Sequence, residues 1–330
     1  MIKKTFQTAT LLAGIAAGIV LGAPAEAADA AKIRLGMTTW VGYGPLYLAR
    51  DLGYFKEAGL DVELKTIEDA AIYMAAVASG DLDGMASTVD EVMKWRSPEF
   101  CFKSVLALDD SHGGDGVLAG KDVKSLQDLK GKPVALNEGS VSEFWFNILL
   151  DKAGMKETDV QVTNMTSDDA AAAFIADRVP AAVTWEPHLT EVRKSGKGQV
   201  LIDSTSTPGA IVDTVGLKCD FIAAHKAEIA AFVKAYYKAV DYLKANPEKA
   251  YAIMAKGVGG YLADPKDFAD AAKGVNFYDK ARNIEFFGNP QKGEAAELIQ
   301  LANKIWGGKG MMKMKVDYDT LVDPSFATAQ

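Results

Sequence analysis

The sequence of 330 residues holds only two cysteines and three histidines, and it has no excess of basic residues. So little cysteine excludes a disulfide-stapled scaffold. His112, His188 and His225 form neither H-E-x-x-H nor any other metal-ligand spacing. Lys and Arg number 36 against 44 Asp and Glu, a net charge of −8, so no nucleic-acid partner is expected. Nucleotide signatures are missing: there is no G-x-x-x-x-G-K-[ST], and no G-x-G-x-x-G follows the first strand. There is no G-x-S-x-G elbow, and Ser111 beside His112 on a loop does not make a triad. The reading is therefore a chain without catalytic machinery, cofactor or resident metal.

Long apolar runs are confined to the first residues. Lys3 and Lys4 precede an apolar stretch from Leu11 to about Ala23, and Ala25-Glu26-Ala27 follows as a small-x-small site. That order describes a secretory signal peptide spanning residues 1–27. The stretch is short for a bilayer and carries Gly14, Gly18, Gly22 and Pro24, and no cysteine follows it for a lipid anchor. The mature chain is expected to be an exported, soluble monomer, not inserted in a membrane. It would carry 34 basic and 43 acidic residues. In an oxidising compartment, Cys101 and Cys219 either form one disulfide or stay buried as small hydrophobes.

What is present is an alternation of strand and helix patterns. Hydrophobic residues make up 49% of the chain, ordinary for a globular protein, and the length calls for two lobes. Lys32–Met37, Leu60–Leu64 and Met85–Ser87 read as strands, with helical spacing after Pro45 and from Ala70 to Ser79. The order recurs with Lys132–Leu136, Val160–Asn164 and Ala181–Thr184 as strands and a helix from about Glu143 to Ala153. This predicts α/β lobes with mostly parallel sheets. After His225 the pattern is helical, most economically packed back onto the first lobe. The expected division is residues 28–116 with 217–330 as one lobe and 117–216 as the other, with crossings near Asp115–Leu118 and Asp213–Leu217.

Open α/β sheets place ligands at the C-terminal ends of their strands. The loops there offer Thr38, Thr39, Trp40 and Tyr43, then Thr88, Asp90 and Glu91, then Asp109 and Asp110 from the first lobe. Ser140, Ser142, Trp185 and Glu186 come from the second lobe, and Asp213 from a crossing segment. Gly139–Ser142 opening a helix would suit an anion. The indoles and Tyr43 beside Asp90, Glu186 and Asp213 would suit a cation. Each residue also has an ordinary use: the serines as helix caps, the acids at helix starts, the indoles in the core. Converging on strand ends, they are read as a ligand cleft, and the acids favour a ligand bearing positive charge.

Several segments resemble the NMT1-like solute-binding proteins of ABC importers, the nitrate, taurine and alkanesulfonate type. They are Thr39–Leu46, Gly53–Val62, Ser79–Gly84, Asp128–Lys132, Val183–Pro187 and Thr207–Asp213, in order behind the leader. The resemblance implies a type II periplasmic-binding-protein fold, two α/β lobes joined by two crossing strands. It also implies closure on a small ligand and delivery to a membrane permease with its ATPase. Carried onto this chain, the cleft falls on Thr38–Trp40, Thr88–Asp90, Gly139–Ser142, Trp185–Glu186 and Asp213. Arg and Lys are scarce in those loops, which speaks against a plain oxyanion. The leading ligand is taurine, an aminosulfonate or a cationic amine or guanidine-like solute, with a neutral pyrimidine-type ring as the alternative. A thiamine-pyrimidine synthase-like enzyme is less favoured, because the leader points to export and that enzyme's Cys-rich segment is absent. Hinges are expected at Asp109–Asp115, with Gly113 and Gly114, and at Thr214–Leu217. On this reading Glu186→Gln weakens a cationic ligand strongly and a neutral ring less, measurable by titration calorimetry.

Overall fold

The computed structural model describes residues 1–2 and 30–329. The expected signal peptide, apart from Met1 and Ile2, lies outside the described residues. No helix among the described residues is long and apolar enough to cross a membrane.

Eleven strands are formed in chain order among the described residues. The first five are β1 (Ala31–Met37), β2 (Leu60–Thr66), β3 (Gly84–Thr88), β4 (Phe102–Ser111) and β5 (Asp115–Ala119). Then come β6 (Pro133–Leu136), β7 (Gln161–Asn164), β8 (Ala181–Trp185), β9 (Gln199–Asp203), β10 (Val212–Lys218) and β11 (Val275–Phe277). They build two sheets, β11-β4-β10-β3-β1-β2 and β7-β6-β8-β5-β9. β1 is parallel to β2 and β3, and β6 to β7 and β8, as the strand-helix alternation requires. β3 and β8 are buried along their whole length, which explains why Gly84–Thr88 and Ala181–Trp185 read as short small-residue or apolar runs without alternation.

Helices cover both sheets, and their starts are set by local chemistry. Asp69 accepts from the backbone N–H of Ala71 to begin the Ala70–Ser79 helix, and Ser140 accepts from Ser142 to begin Val141–Lys152. The helical final third packs on the first sheet. Tyr236 donates to the Leu108 carbonyl at 2.7 Å, and the Asn283 side chain bonds both backbone groups of Ala107. Trp306 donates its indole N–H to Asp90 at 3.0 Å.

The chain passes between the sheets twice, at residues 112–114 and at 204–211. The crossings are tied together where Ser111 and Ser204 share a hydrogen bond of 2.8 Å and the Gly113 N–H donates to Ser204 at 2.7 Å. Gly113 holds φ +108°, a conformation that suits glycine there. The expected first crossing at Asp115–Leu118 falls inside β5, just past the actual one, and the expected second crossing at Asp213–Leu217 is displaced as well. Those residues are the interior of β10, bonded to β3 on one side and β4 on the other, so they cannot flex as a hinge. The bend lies before them, in 204–211, and β10 belongs to the first sheet.

Cys101 and Cys219 form a disulfide across 118 residues of sequence, closing the ends of β4 and β10 that face away from the crossings. In the chain-entropy account a closed loop of this size stabilises by about 4–5 kcal/mol. The Cys101→Ser, Cys219→Ser double variant is expected to unfold at lower denaturant than the oxidised protein. Reductant should lower the parent's midpoint and leave the variant's unchanged; equal midpoints would contradict a stabilising cross-link.

Candidate functional site

Where the two sheets face each other across the crossings, a narrow cleft lies between them, with a cavity of about 40 Å³. The first lobe contributes Thr38, Trp40 and Tyr43 from the segment after β1, Glu68 and Ala70 after β2, and Ser87, Thr88 and Glu91 at the end of β3. Asn137, Ser140, Val141 and Trp185 come from the other lobe, and Asp115, Ile211 and Asp213 from beside the crossings. The Thr88 hydroxyl in this lining is buried and has no hydrogen-bond partner.

Of the anticipated ligand residues, the fold brings Thr38, Trp40, Tyr43, Thr88, Ser140, Trp185 and Asp213 together on this lining. Five others lie off this lining. Thr39 sits at the edge, its hydroxyl bonding Glu68 at 2.5 Å. Asp90 is buried under the Trp306 indole. Asp110 accepts from Asn276 and Tyr278, joining β4 to β11 and its flank. Ser142 lies one step inside its helix with a buried, unpartnered hydroxyl, behind Ser140. Glu186 accepts from the Thr190 N–H at 2.9 Å and from the Arg193 guanidinium, so its charge is already answered. Neutralising Glu186 therefore breaks that ion pair and, through its field on Asp115, also reaches the cavity, so Glu186→Gln reports on both.

Three other carboxylates take the places of Asp90, Asp110 and Glu186. Glu91, one residue beyond Asp90 and so about 100° round the helix, accepts from Ser87 at 2.5 Å and Tyr73 at 3.1 Å. Asp115 opens β5, and Glu68 follows β2. Glu68 obeys the same strand-end rule that selected Thr38 and was overlooked. Asp115 starts its strand, so that rule does not find it. Among the described residues, the lining thus carries Glu68, Glu91, Asp115 and Asp213 and no Lys, Arg or His.

Two hydrogen bonds cross the cavity between lobes. Trp185 donates its indole N–H to the Thr39 carbonyl at 3.1 Å, and the Val141 N–H donates to Glu91 at 3.1 Å. The Val141 N–H is a free end of its helix, so Glu91 takes the position an anion would have occupied there.

Behind the lining, Asp213 on β10 pairs in register with Asp109 on β4. Tyr43 donates to Asp213 at 2.6 Å and Trp40 to Asp109 at 3.0 Å, while the second Asp109 carboxylate oxygen is buried without a partner. Burial and the neighbouring Asp109 charge push the Asp213 carboxyl well above the usual range. Burial, with Asp110 and Asp115 adding to it, does the same to Asp109. Asp115 is pushed up to about 7, first by burial and then by the fields of Asp90 and Glu186, against a lowering bond from Ser111. Proton affinity is high here because negative charge is crowded in a dry place without a counter-ion. A cation 4 Å from one such carboxylate gains about 4 kcal/mol at an intermediate effective dielectric, and an anion loses as much.

A family model described as NMT1/THI5 like matches residues 40–250, more than half of the chain. The taurine-binding periplasmic protein of Escherichia coli (strain K12) is 25% identical over 201 residues, 60% of this chain and 62% of that protein. A 4-amino-5-hydroxymethyl-2-methylpyrimidine phosphate synthase of Saccharomyces cerevisiae is 27% identical over 221 residues, 63% of this chain and 65% of the enzyme. Among solved structures, the ligand binding component of an ABC-type import system from Staphylococcus aureus has a TM-score of 0.73 at 17% identity. The match covers 91% of this chain and 98% of that one. The periplasmic aliphatic sulphonate binding protein SsuA from Escherichia coli has a TM-score of 0.72 at 20% identity, covering 90% and 99%. At these identities the likeness fixes the fold, the two-lobed α/β architecture of periplasmic binding proteins.

The crowded carboxyls set a pH dependence. Their folded pKa values lie above the unfolded value near 4, so between about pH 4 and 7 the folded state binds more protons than the unfolded state. Stability therefore falls as pH rises through that window, by up to about 4 kcal/mol for Asp115 alone. The ligand-free protein is expected to melt at higher temperature at pH 5.5 than at pH 8. Asp115→Asn should flatten the slope; an unchanged slope in that variant would show that Asp115 is not the group responsible.

Proposed function

The chain belongs to the NMT1/THI5-like family, and from that premise we propose that it is the solute-binding component of an ABC importer. Its ligand is a small solute with a positively charged nitrogen group, a cationic amine, a guanidine-like compound or an aminosulfonate. It is held between the lobes and handed to a permease and ATPase. The observation that carries the ligand reading is the lining of four carboxylates with no basic side chain. A nitrate or sulfate ion there would meet carboxyls and no basic side chain to balance its charge, whereas a cation lets those carboxyls ionise. Trp40, Trp185 and Tyr43 add π-faces that attract a cation.

Transport follows from binding both lobes at once. A ligand bridging Asp213 and Glu91 on one side and Trp185 on the other gains contacts only in the closed arrangement and so favours it. A binding role in the periplasm is supported by the leader pattern in residues 1–27 and by the ABC-import structural neighbour. The indole walls also suit a neutral pyrimidine-type ring, which stacks without needing the carboxylates.

A thermal-shift screen separates these readings. Millimolar guanidinium, methylammonium or taurine is expected to raise the melting temperature, by roughly 5 °C at a hundred times the dissociation constant. Stabilisation by nitrate or sulfate alone would contradict the cation assignment. Glu91→Gln and Asp213→Asn should each weaken a cation at least about tenfold, the 1.4 kcal/mol expected for one partly buried charge pair. A neutral pyrimidine should lose much less in both variants.

A further inference from the structure

At the ends of β4 and β10 that face away from the cavity, the Cys101–Cys219 disulfide has a buried cation for a neighbour. Arg96 lies between the Val89–Lys94 helix and a tight turn in which Ser97 and Phe100 exchange backbone hydrogen bonds. Its side chain donates to the Phe102 carbonyl and, at 3.5 Å, to the Cys101 sulfur. Arg96 is only 8% exposed, and its Nε is buried with no partner. Arg34, Arg50, Arg193 and Arg282 each meet a carboxylate. Arg96 meets none among the described residues; burial lowers its proton affinity and no neighbouring acid restores it. A guanidinium stripped of water without an anion is costly. The group placed to supply the missing charge is the Cys101 sulfur, which becomes an anion once the disulfide is opened.

We propose that Cys101–Cys219 is a thiol-exchange site of fixed polarity: a small external thiolate attacks the Cys219 sulfur, and Cys101 leaves as a thiolate held by Arg96. In the first step a bond forms between the external sulfur and Cys219 while the S–S bond breaks, its electron pair going to Cys101. A second external thiolate then attacks the external sulfur of that mixed disulfide and releases Cys219, which takes a proton from water. The protein disulfide is thereby reduced by two electrons, and the two external thiols are oxidised to their own disulfide. A thiol of lower pKa leaves faster, and a guanidinium contact lowers that of Cys101. Both cysteines are partly exposed, so a small thiol can reach them. Other charges near the bridge are engaged elsewhere. Glu99 accepts from Ser97, Lys103 donates to the Asp319 carbonyl, and Asp220 accepts from the Phe221 N–H. Lys218 and Asp220 flank Cys219 with opposite signs and offset each other. Cys219 opens a helix of only six residues, and its N–H is spent on the Cys101 carbonyl at 3.0 Å, so the helix end adds little on that side.

The test treats folded, oxidised protein with millimolar glutathione, quenches in acid at early times and maps the mixed disulfide by mass spectrometry. Glutathione is expected on Cys219 with Cys101 free, in at least about fivefold excess over the reverse isomer. Arg96→Gln should bring the two isomers to within about twofold, and Arg96→Lys, which keeps a charge there, should retain part of the preference. Comparable amounts of both isomers in the parent, or glutathione mainly on Cys101, would overturn the assignment without need of any variant. So would a preference unchanged in Arg96→Gln, a loss in Arg96→Lys as complete as in Arg96→Gln, or no reaction until denaturant unfolds the chain. None of these results depends on which solute the cavity holds.

Discussion

A carboxylate taken out of water is costly unless something positive or a set of donors answers it. In this protein Asp109, Asp115 and Asp213 are crowded together where the lobes meet, and the donors supplied are few: one indole, one phenol and one serine hydroxyl. The remaining polarity is left open, down to an orphaned oxygen on Asp109. A fold that only needed stability would have spent these positions on apolar packing. Crowded carboxyls of raised proton affinity beside an aromatic-walled cavity fit a site whose occupant brings positive charge.

The architecture explains how that reserve is kept between two bodies. β10 runs back from the second lobe to lie between β3 and β4, which carries Asp213 beside Thr88 and Asp109. The crossings next to it are bound to one another through Ser111, Gly113 and Ser204, so motion is confined to a short double strap. Across the cavity itself the lobes touch chiefly through the Trp185 indole on Thr39 and the Val141 N–H on Glu91, while farther out Lys309 pairs with Glu143 and Glu157, Lys194 with Asp267, and Phe144 meets Trp306. The two bonds at the cavity are close to the size of the interactions a small ligand supplies there.

Much of this was legible in the chain. Strand-helix alternation gave two α/β lobes, because a buried parallel strand and its covering helix leave different periodicities. Trp40, Tyr43 and Trp185 stood out because large aromatics on strand-end loops have few other places to go. The acids were harder. Asp90 and Glu91 are neighbours, yet only helix phase decides which faces the cavity and which receives the Trp306 indole from more than two hundred residues away. Glu186 looked free until Arg193 was placed one face along the next helix. Asp115 begins its strand, and its importance comes from the antiparallel run of β5 against β8, a pairing that local pattern does not contain. The second crossing was misplaced for the same reason, since β10 pairs only with distant strands.

Proton counting tests the central claim most directly. Guanidinium stays charged throughout the accessible pH range, so any proton that moves when it binds belongs to the protein. Titrating it into ligand-free protein at pH 7, in two buffers of different ionisation enthalpy, should show net release on the order of one proton per cation bound, as the crowded carboxyls ionise. Proton uptake, no proton movement, or binding heat seen only with nitrate or sulfate would contradict a cation held by buried acids.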